Sequence, residues 1–445
     1  MLDPRTTLRF LFAAGVAAVE PRAAVLAHCR MDGEVLHVGG QRYDLTAFHR
    51  IVVVGAGKAS ARMAQAVESL LGTRISAGVV VVKYDHGAPL SRLRLSEAGH
   101  PVPDTAGEAG ARAIEDALTD LDARDLVIAC WSGGASALLP APRAGLTLAD
   151  KQAVTRLLLA SGADIATINT VRKHLSRMKG GQLARRAVPA TVVCLGISDV
   201  VGDDLATIGS GPFVADPGTF ADVQALVRRL GIAELLPSAV SALIARGVAG
   251  DELDTPKPGD ACFARVHHHL VASNQLALDA AAAAARAAGY EPVVWQQPLT
   301  GEARAAAATF ASAALHLLER GRRVCLIAGG ETTVTLGEAP GKGGRNQEFA
   351  LAAAGVLGSV RWRGGPPPVS ILAGGTDGSD GPTDAAGAIA DGKTLERGRT
   401  AGLDLVSHLD HHDAYPYFAA LTDLVITGAT GTNVMDLDLA LIAPG

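Results

Sequence analysis

The sequence predicts an α/β protein of two domains, and three observations carry that reading. Apolar, β-branched runs alternate with helical patterns along the 445 residues. Nearly continuous apolar strands separated by helices mark parallel sheets covered on both faces. Three of the runs end in glycine-rich turns: IVVVGAGKAS at 51–60, LVIACWSGGASALL at 126–139 and VCLIAGGETTVTLGEAPGKGGRNQEFALAAA at 324–354. A polar stretch rich in Gly and Pro, GVAGDELDTPKPGDA at 247–261, reads as a boundary. The length suggests about two to three domains of ~150 residues each, and the expected division is 1–255 and 256–445.

The elements follow in chain order. Asp3 and Pro4 form a cap-then-proline helix start, and Leu8, Leu11, Phe12, Val16 and Val19 recur at helical spacing. The apolar stretch Phe10 to Val19 falls short of the ~20 residues that span a bilayer. It also lacks the basic flank of a signal peptide. A cytoplasmic protein with no membrane contact is expected. Strands are expected at 51–54, 79–82, 126–130, 191–195, 270–272, 293–295, 324–328, 370–373 and 424–426. Helices are expected at 60–71, 107–121, 276–288 and 303–319. The closing TDLVITGATGTNVMDLDLALI at 422–442 reads as two strands joined by a Gly/Thr/Asn loop.

Composition narrows the chemistry. Hydrophobic residues make up 48% but aromatics only 4%, so the cores must be built from Ala, Val and Leu. A net charge of −5 argues against a nucleic-acid surface, and any anion site must come from local placement. The five cysteines form no CxxC pair and read as small buried hydrophobes. His267, His268 and His269 would alternate between strand faces and cannot converge on one ion. His411 and His412 lie in a polar loop, and zinc is expected at neither group.

The glycine turns carry the candidate chemistry. In GAGKAS, Gly55 and Gly57 follow a strand as in a dinucleotide turn, but Ser60 stands where the third glycine belongs and no acid lies about twenty residues on. Lys58 at a helix start opposes the helix dipole, which typically costs a few tenths to ~1 kcal/mol. An anion lying between the lysine and the dipole makes that placement intelligible. In SGGAS, Ser132, Gly133, Gly134 and Ser136 offer backbone N–H groups and hydroxyls to phosphate or carboxylate oxygens. Ser132 is not in a nucleophile elbow, because the first glycine of G-x-S-x-G is missing.

Later motifs add charge. NTVRKHLSRMKGGQLA at 169–184 places Val171, Leu175 and Met178 on one helical face with Arg172, Lys173, His174, Arg177 and Lys179 around it. That pattern fits an acidic substrate or a solvated basic face. Asp199 follows a strand at the end where open α/β sheets bind ligands. It could hold a metal, accept a proton or cap a turn. Glu331, Lys342, Arg345, Asn346, Gln347 and Glu348 share one run, and the planar fork of Arg345 among glycines matches phosphate or carboxylate. Asp377, Asp380 and Asp384 are spaced through a Gly-rich loop whose oxygen ligands suit Mg²⁺.

Taken together, GAGKAS, HPVPD (100–104), SGGASALL, VRKHLSRMKGG, ISDVVGDDLATIGSGP, GGETTVTLGEAPGKGGRNQEFALA, GGTDGSDGPTDAAGA and TGATGTNVMDL resemble the class II glycerate 2-kinases, also called the MOFRL family, whose older label is hydroxypyruvate reductase. The resemblance runs in order over nearly the whole chain. It implies two α/β domains with the active site in the cleft between them. The first is expected to be a Rossmann-like three-layer α/β/α sandwich and the second a smaller α/β domain. The implied reaction is phosphorylation of D-glycerate at its C2 hydroxyl by ATP and Mg²⁺, giving 2-phosphoglycerate. In the family the lysine of GAGKAS and the arginine of GGRNQE matter for activity, which points to Lys58 and Arg345.

With that reaction, Lys58, Arg345 and Asp199 become catalytic candidates, with Lys58 and Arg345 clamping the transferred group from opposite domains. Gly55, Gly57, Ser132, Gly133, Gly134, Ser136, Lys179, Glu331 and Asn346 become candidates for substrate or phosphate binding. Asp377 and Asp199 become candidates for the metal. The expected partners are D-glycerate and ATP, with no nucleic acid, and the chain is expected as a monomer or homodimer. An NAD(P)H-dependent hydroxypyruvate reductase is the main alternative, and a non-catalytic sensor of nucleotides or sugar phosphates is a second.

Overall fold

A computed structural model describes residues 3–337 and 340–444, and only the backbone of Ile165. Glu338 and Ala339, inside the run 324–354, lie outside the described residues. The chain divides into two compact units, Pro21–Val271 and Met1–Glu20 with Ala272–Gly445. The division falls at 271/272 where the polar stretch had suggested 255/256, and the first twenty residues join the C-terminal unit.

The unit Pro21–Val271 begins with a three-stranded antiparallel meander, β1 (Cys29–Asp32), β2 (Val35–Val38) and β3 (Gln41–Asp44). The sequence reading missed it, although Gly33–Glu34 and Gly39–Gly40 are its two-residue turns and both Gly33 and Gly39 adopt positive φ. The main sheet follows: β4 (Arg50–Ala56), β5 (Ile75–Lys83), β6 (Arg94–Ala98), β7 (Asp125–Trp131), β8 (Thr191–Ile197) and β9 (Val266–Ala272). Its order is β6-β5-β4-β7-β8-β9, and the pairs from β6 to β8 are parallel. Val52, Val54, Val79 and Val81 pack with the helices Thr105–Ala117 and Gln182–Ala187. Val53 and Val80, which point the other way, are also fully buried. Burial on both faces is why these strands read as unbroken apolar runs.

The other unit holds a seven-stranded sheet of β10 (Glu291–Val294), β11 (Leu299–Glu302), β12 (Val324–Thr333), β13 (Val369–Gly375), β14 (Gly387–Asp391), β15 (Leu424–Val425) and β16 (Asp436–Ile442). It is not the parallel sheet expected. Only β10 and β11 run parallel to β12, while β16 lies antiparallel between β12 and β13. The last two strands do not pair with each other: β15 closes the edge beside β14, and β16 enters the centre. Apolar runs report burial and not direction, so central antiparallel strands give the same pattern.

Helices cover both faces of this sheet. Helices Ala303–Leu318 and Arg345–Ser359 pack on one side. The N-terminal helix Pro4–Ala18 and helix Asn274–Ala287 pack on the other through Leu8, Leu11, Phe12, Leu278 and Ala282. Asp3 caps the N-terminal helix as expected, accepting from the N–H groups of Arg5 and Thr6. Among the described residues, no single helix is long and apolar enough to cross a membrane.

Candidate active site

In the unit Pro21–Val271 the predicted residues gather at the carboxyl ends of neighbouring parallel strands, where an open α/β sheet binds its ligands. GAGKAS leaves β4, SGGAS leaves β7, and Asp199 lies two residues past β8. The first turn is locked rather than open. Gly57 N–H donates to Val81 O (3.1 Å), Lys58 N–H to Gly133 O (2.9 Å), Ala59 N–H to Ser132 Oγ (3.0 Å) and Ser60 N–H to Gly57 O (3.2 Å). These groups are therefore not a phosphate cradle, which corrects the reading of Gly55 and Gly57 as binding residues. Gly55 lies inside β4, where a Cβ would come within 2.9 Å of Cys130 O. Gly57 has φ +132° and would place a Cβ 2.1 Å from Ser132 Oγ. Both serve close packing. Ser132, 2% exposed, is likewise committed to pinning this turn.

The product of that locking is Lys58, whose ammonium makes no hydrogen bond or ion pair with any described residue. Its chain passes Gly134: a Cβ there would lie 3.2 Å from His100 Cδ2 and 3.4 Å from Lys58 Cγ. A Cβ on Gly133 would lie 1.8 Å from Asp199 Oδ2, so only glycine lets that carboxylate approach. The N–H groups of Gly133 and Gly134 have no acceptor among the described residues. Burial raises the Asp199 carboxyl above its ordinary range, and the Lys58 charge opposes the rise. Burial, then the charges of Lys58 and Lys83, lower His100 to about 4, so its ring is neutral at neutral pH. Sequence reasoning quoted HPVPD without assigning His100 a place. Its signal was a histidine at the carboxyl end of a strand, followed by the helix cap Asp104.

Ser136 bonds to Ser210 Oγ at 3.0 Å, and Ser210 reaches Asn169 Oδ1 at 3.4 Å. Lys179 is 2% exposed and donates from Nζ to Leu139 O at 2.8 Å. The stretch 169–184 is not one helix. Helix Ile165–His174 stops because the chain turns to pair with 141–143, Arg177 N–H donating to Ala141 O and Arg143 N–H to Leu175 O.

In the other unit Arg345 opens helix Arg345–Ser359 and is tied by its side chain. Nε and Nη2 donate to the two oxygens of Asp436 at 2.7 and 2.9 Å, and Nη1 lies 3.1 Å from Glu331 Oε1. Asn346, also buried, donates from Nδ2 to Asp436 Oδ1 at 2.9 Å and to Asp380 Oδ1 at 3.3 Å. Asp380 caps the helix, accepting from Asn346 N–H (3.0 Å) and Gln347 N–H (2.8 Å), and burial lifts it to about 6. Glu331 and Asn346 thus orient Arg345 and Asp436, where the sequence reading had them binding substrate.

Asp436 and Asp438 were missed. Both lie on the face of β16 that meets helix Arg345–Ser359, and both are 2% exposed. Among the described residues Asp438 Oδ1 has no hydrogen-bond partner, and burial holds its carboxyl well above the ordinary range. Two acids at i and i+2 inside an apolar strand were the available signal, since such groups are seldom buried unpaired. Asp377 stands apart, with Oδ1 accepting from the N–H and hydroxyl of Ser379. Among the described residues no group of three or more His, Cys, Asp or Glu is arranged to hold a metal.

Comparison with known proteins agrees with the order of the motifs. A family model described as a domain of unknown function, DUF4147, matches residues 7–245, and the MOFRL family model matches residues 324–436. A protein of Agrobacterium vitis with a provisional label of hydroxypyruvate reductase is 44% identical over 99% of this chain and 95% of its own length. The glycerate 2-kinase of Pyrococcus horikoshii is 39% identical over 96% of this chain and 94% of its own. The crystal structure of glycerate kinase from Thermotoga maritima superposes with a TM-score of 0.85 at 36% identity, covering 98% of this chain and 99% of that one. At that identity over almost the full length, the chain belongs to the class II glycerate 2-kinase family, the MOFRL family.

Proposed function

We propose that the chain transfers the γ-phosphoryl group of ATP to the C2 hydroxyl of D-glycerate, giving 2-phosphoglycerate and ADP. The observation that carries this reading is the unpaired Lys58 ammonium, set at the carboxyl ends of the parallel strands next to free N–H groups and a carboxylate of raised pKa. Phosphoryl transfer needs positioning and charge neutralisation more than covalent help. Lys58 and the N–H groups of Gly133 and Gly134 suit negative oxygens. Asp199 suits the proton: as the C2 oxygen bonds to phosphorus and the bond to the β-phosphate oxygen breaks, the hydroxyl proton passes to the carboxylate. Its raised pKa favours that acceptance. Arg345, fixed by Asp436, offers a planar donor for phosphate or carboxylate in the C-terminal unit.

Mg²⁺ is part of the proposal. Asp377 fits it, because Oδ2 takes no donor from the described residues while Oδ1 is held by Ser379. A single carboxylate suits Mg²⁺, which keeps waters and substrate phosphates as its other ligands. The ion would neutralise charge on the phosphates. The locked GAGKAS turn speaks against the reductase alternative, because a dinucleotide turn must offer its N–H groups to the pyrophosphate. The test is product analysis with D-glycerate and Mg-ATP, coupled to enolase with and without phosphoglycerate mutase. Signal without the mutase is expected. Signal only with it moves the transfer to C3, and NADH consumption with hydroxypyruvate but no ADP hands the chain to the reductase.

A further inference from the structure

Arginines from three stretches of the unit Pro21–Val271 share one pocket of about 380 Å³, walled by Arg143, Arg177, Gln182, Arg185, Arg186 and Glu252. Three of the guanidiniums are fixed by the protein. Arg143 Nη1 donates to Glu252 Oε1 (2.8 Å) and Leu253 O (2.6 Å). Arg177 grips Glu115 through Nε (3.0 Å) and Nη2 (2.9 Å), and Arg185 Nη1 donates to Gln182 Oε1 (3.1 Å) and Asp254 O (3.0 Å).

The acids around the pocket are fewer than the cations, and two of them are shared. Glu115 also lies 3.5 Å from Arg186, and Glu252 lies 3.8 Å from Arg246. The charge of Glu108 acts on Arg177, with no ion pair between them. Arg185 pairs with no carboxylate among the described residues, since Asp254 gives its own to His174 and Lys257. Five arginines, counting Arg246, thus face three acids, Glu108, Glu115 and Glu252. Donors are also in surplus. Arg186 makes no hydrogen bond with a described residue. Arg143 is 5% exposed and lies over the Phe220 ring, and its Nε and Nη2 have no acceptor among the described residues. Buried polar groups are normally paired, and guanidinium forks in excess around one open space match the oxygens of a phosphate group. The volume is in the range of small-molecule sites.

The pocket stands apart from the catalytic group. Lys58, His100, Gly133 and Asp199 are not among its walls. Helix Gln182–Ala187, which carries three of the walls, leads into the amino end of β8 at Thr191, whereas Asp199 lies past the carboxyl end of that strand. We infer that this pocket is a second anion site, which takes a small molecule bearing a phosphate or diphosphate group. The oxygens of the ligand meet Arg186 and the donors that Arg177 and Arg185 have left, and its charge offsets that of buried Arg143. The ligand is not a reactant, and the inference does not rest on the kinase reading.

The test is calorimetric titration of the full chain with pyrophosphate, on Lys58→Ala protein so that the catalytic group does not supply the binding. Pyrophosphate is expected to bind. Adding Arg186→Gln is expected to weaken it by about tenfold, the worth of a charge-assisted hydrogen bond. That side chain is 39% exposed and has one loose contact, so the variant should melt as its parent does. Adding Glu252→Gln is expected to tighten binding by about threefold, since it removes a like charge from the wall. It should also lower the melting temperature, by leaving Arg143 without its acid, and saturating pyrophosphate should restore it. No binding to Lys58→Ala protein, or an affinity that Arg186→Gln leaves unmoved, overturns the site. Arg186→Gln in otherwise wild-type protein should leave turnover of D-glycerate and ATP unchanged. A raised KM for either would make the pocket part of the reactant site and overturn the inference.

Discussion

Lys58 and Arg345 are the two cations to which the motifs point, and the structure holds them in opposite ways. Lys58 is fixed through its backbone: its own N–H and those on either side are bonded within the protein, and its ammonium is unpaired. Arg345 is fixed through its side chain, on Asp436 and Glu331, and is 32% exposed where Asp436 is 2% exposed. The first arrangement spends nothing on the cation itself and leaves its charge for a ligand. The second makes the cation part of the fold, so function and stability cannot be separated there.

The largest expected effect breaks the comparison at its clean end. Lys58→Ala should lower kcat by ~10²-fold or more with melting almost unchanged, as loss of a charge contact made in the transition state does. Near-normal turnover of the folded variant would remove Lys58 from the mechanism. Arg345→Ala should lower kcat by a similar ~10²-fold and also destabilise the protein by about 2–3 kcal/mol. It leaves the buried Asp436 without its bidentate partner, and partial exposure keeps the effect at the low end. Denaturant titration of the two variants sharpens the contrast; equal stability would mean that Asp436 does not depend on Arg345.

A smaller effect separates Asp199 from both. A base must be ionised to accept a proton, and burial has raised this carboxyl. The acid limb of kcat/KM should therefore lie above the ordinary carboxylate range, with activity lost as pH falls through the raised pKa. Asp199→Asn should abolish that limb together with most of the rate. An unchanged pH profile in the residual activity would transfer the limb to another group.

Much of this was legible in the sequence because it is local. The strand expected at 51–54 lies within β4, and helix 60–71 forms as Ser60–Leu71, because apolar runs and glycine turns act within a few residues of themselves. The odd placement of Lys58 was equally local. The direction of β16 was not, since an apolar strand buried on both faces reads alike whether its neighbours are parallel or antiparallel. Nor was the fate of the basic residues at 169–184: Glu115, Asp216 and Asp254, which quench three of them, lie far away in the chain.

By itself, the sequence determined the alternation of strands and helices, the glycine turns, and which charged residues stand at the carboxyl ends of strands. Periodicity and turn chemistry are written in adjacent residues. Only the tertiary structure decided which of those charges are free. Arg345 meets Asp436 across 91 positions of sequence, and Arg177 meets Glu115 across 62. Pairing between distant charges depends on how the layers close over one another, and no short window of sequence contains that information.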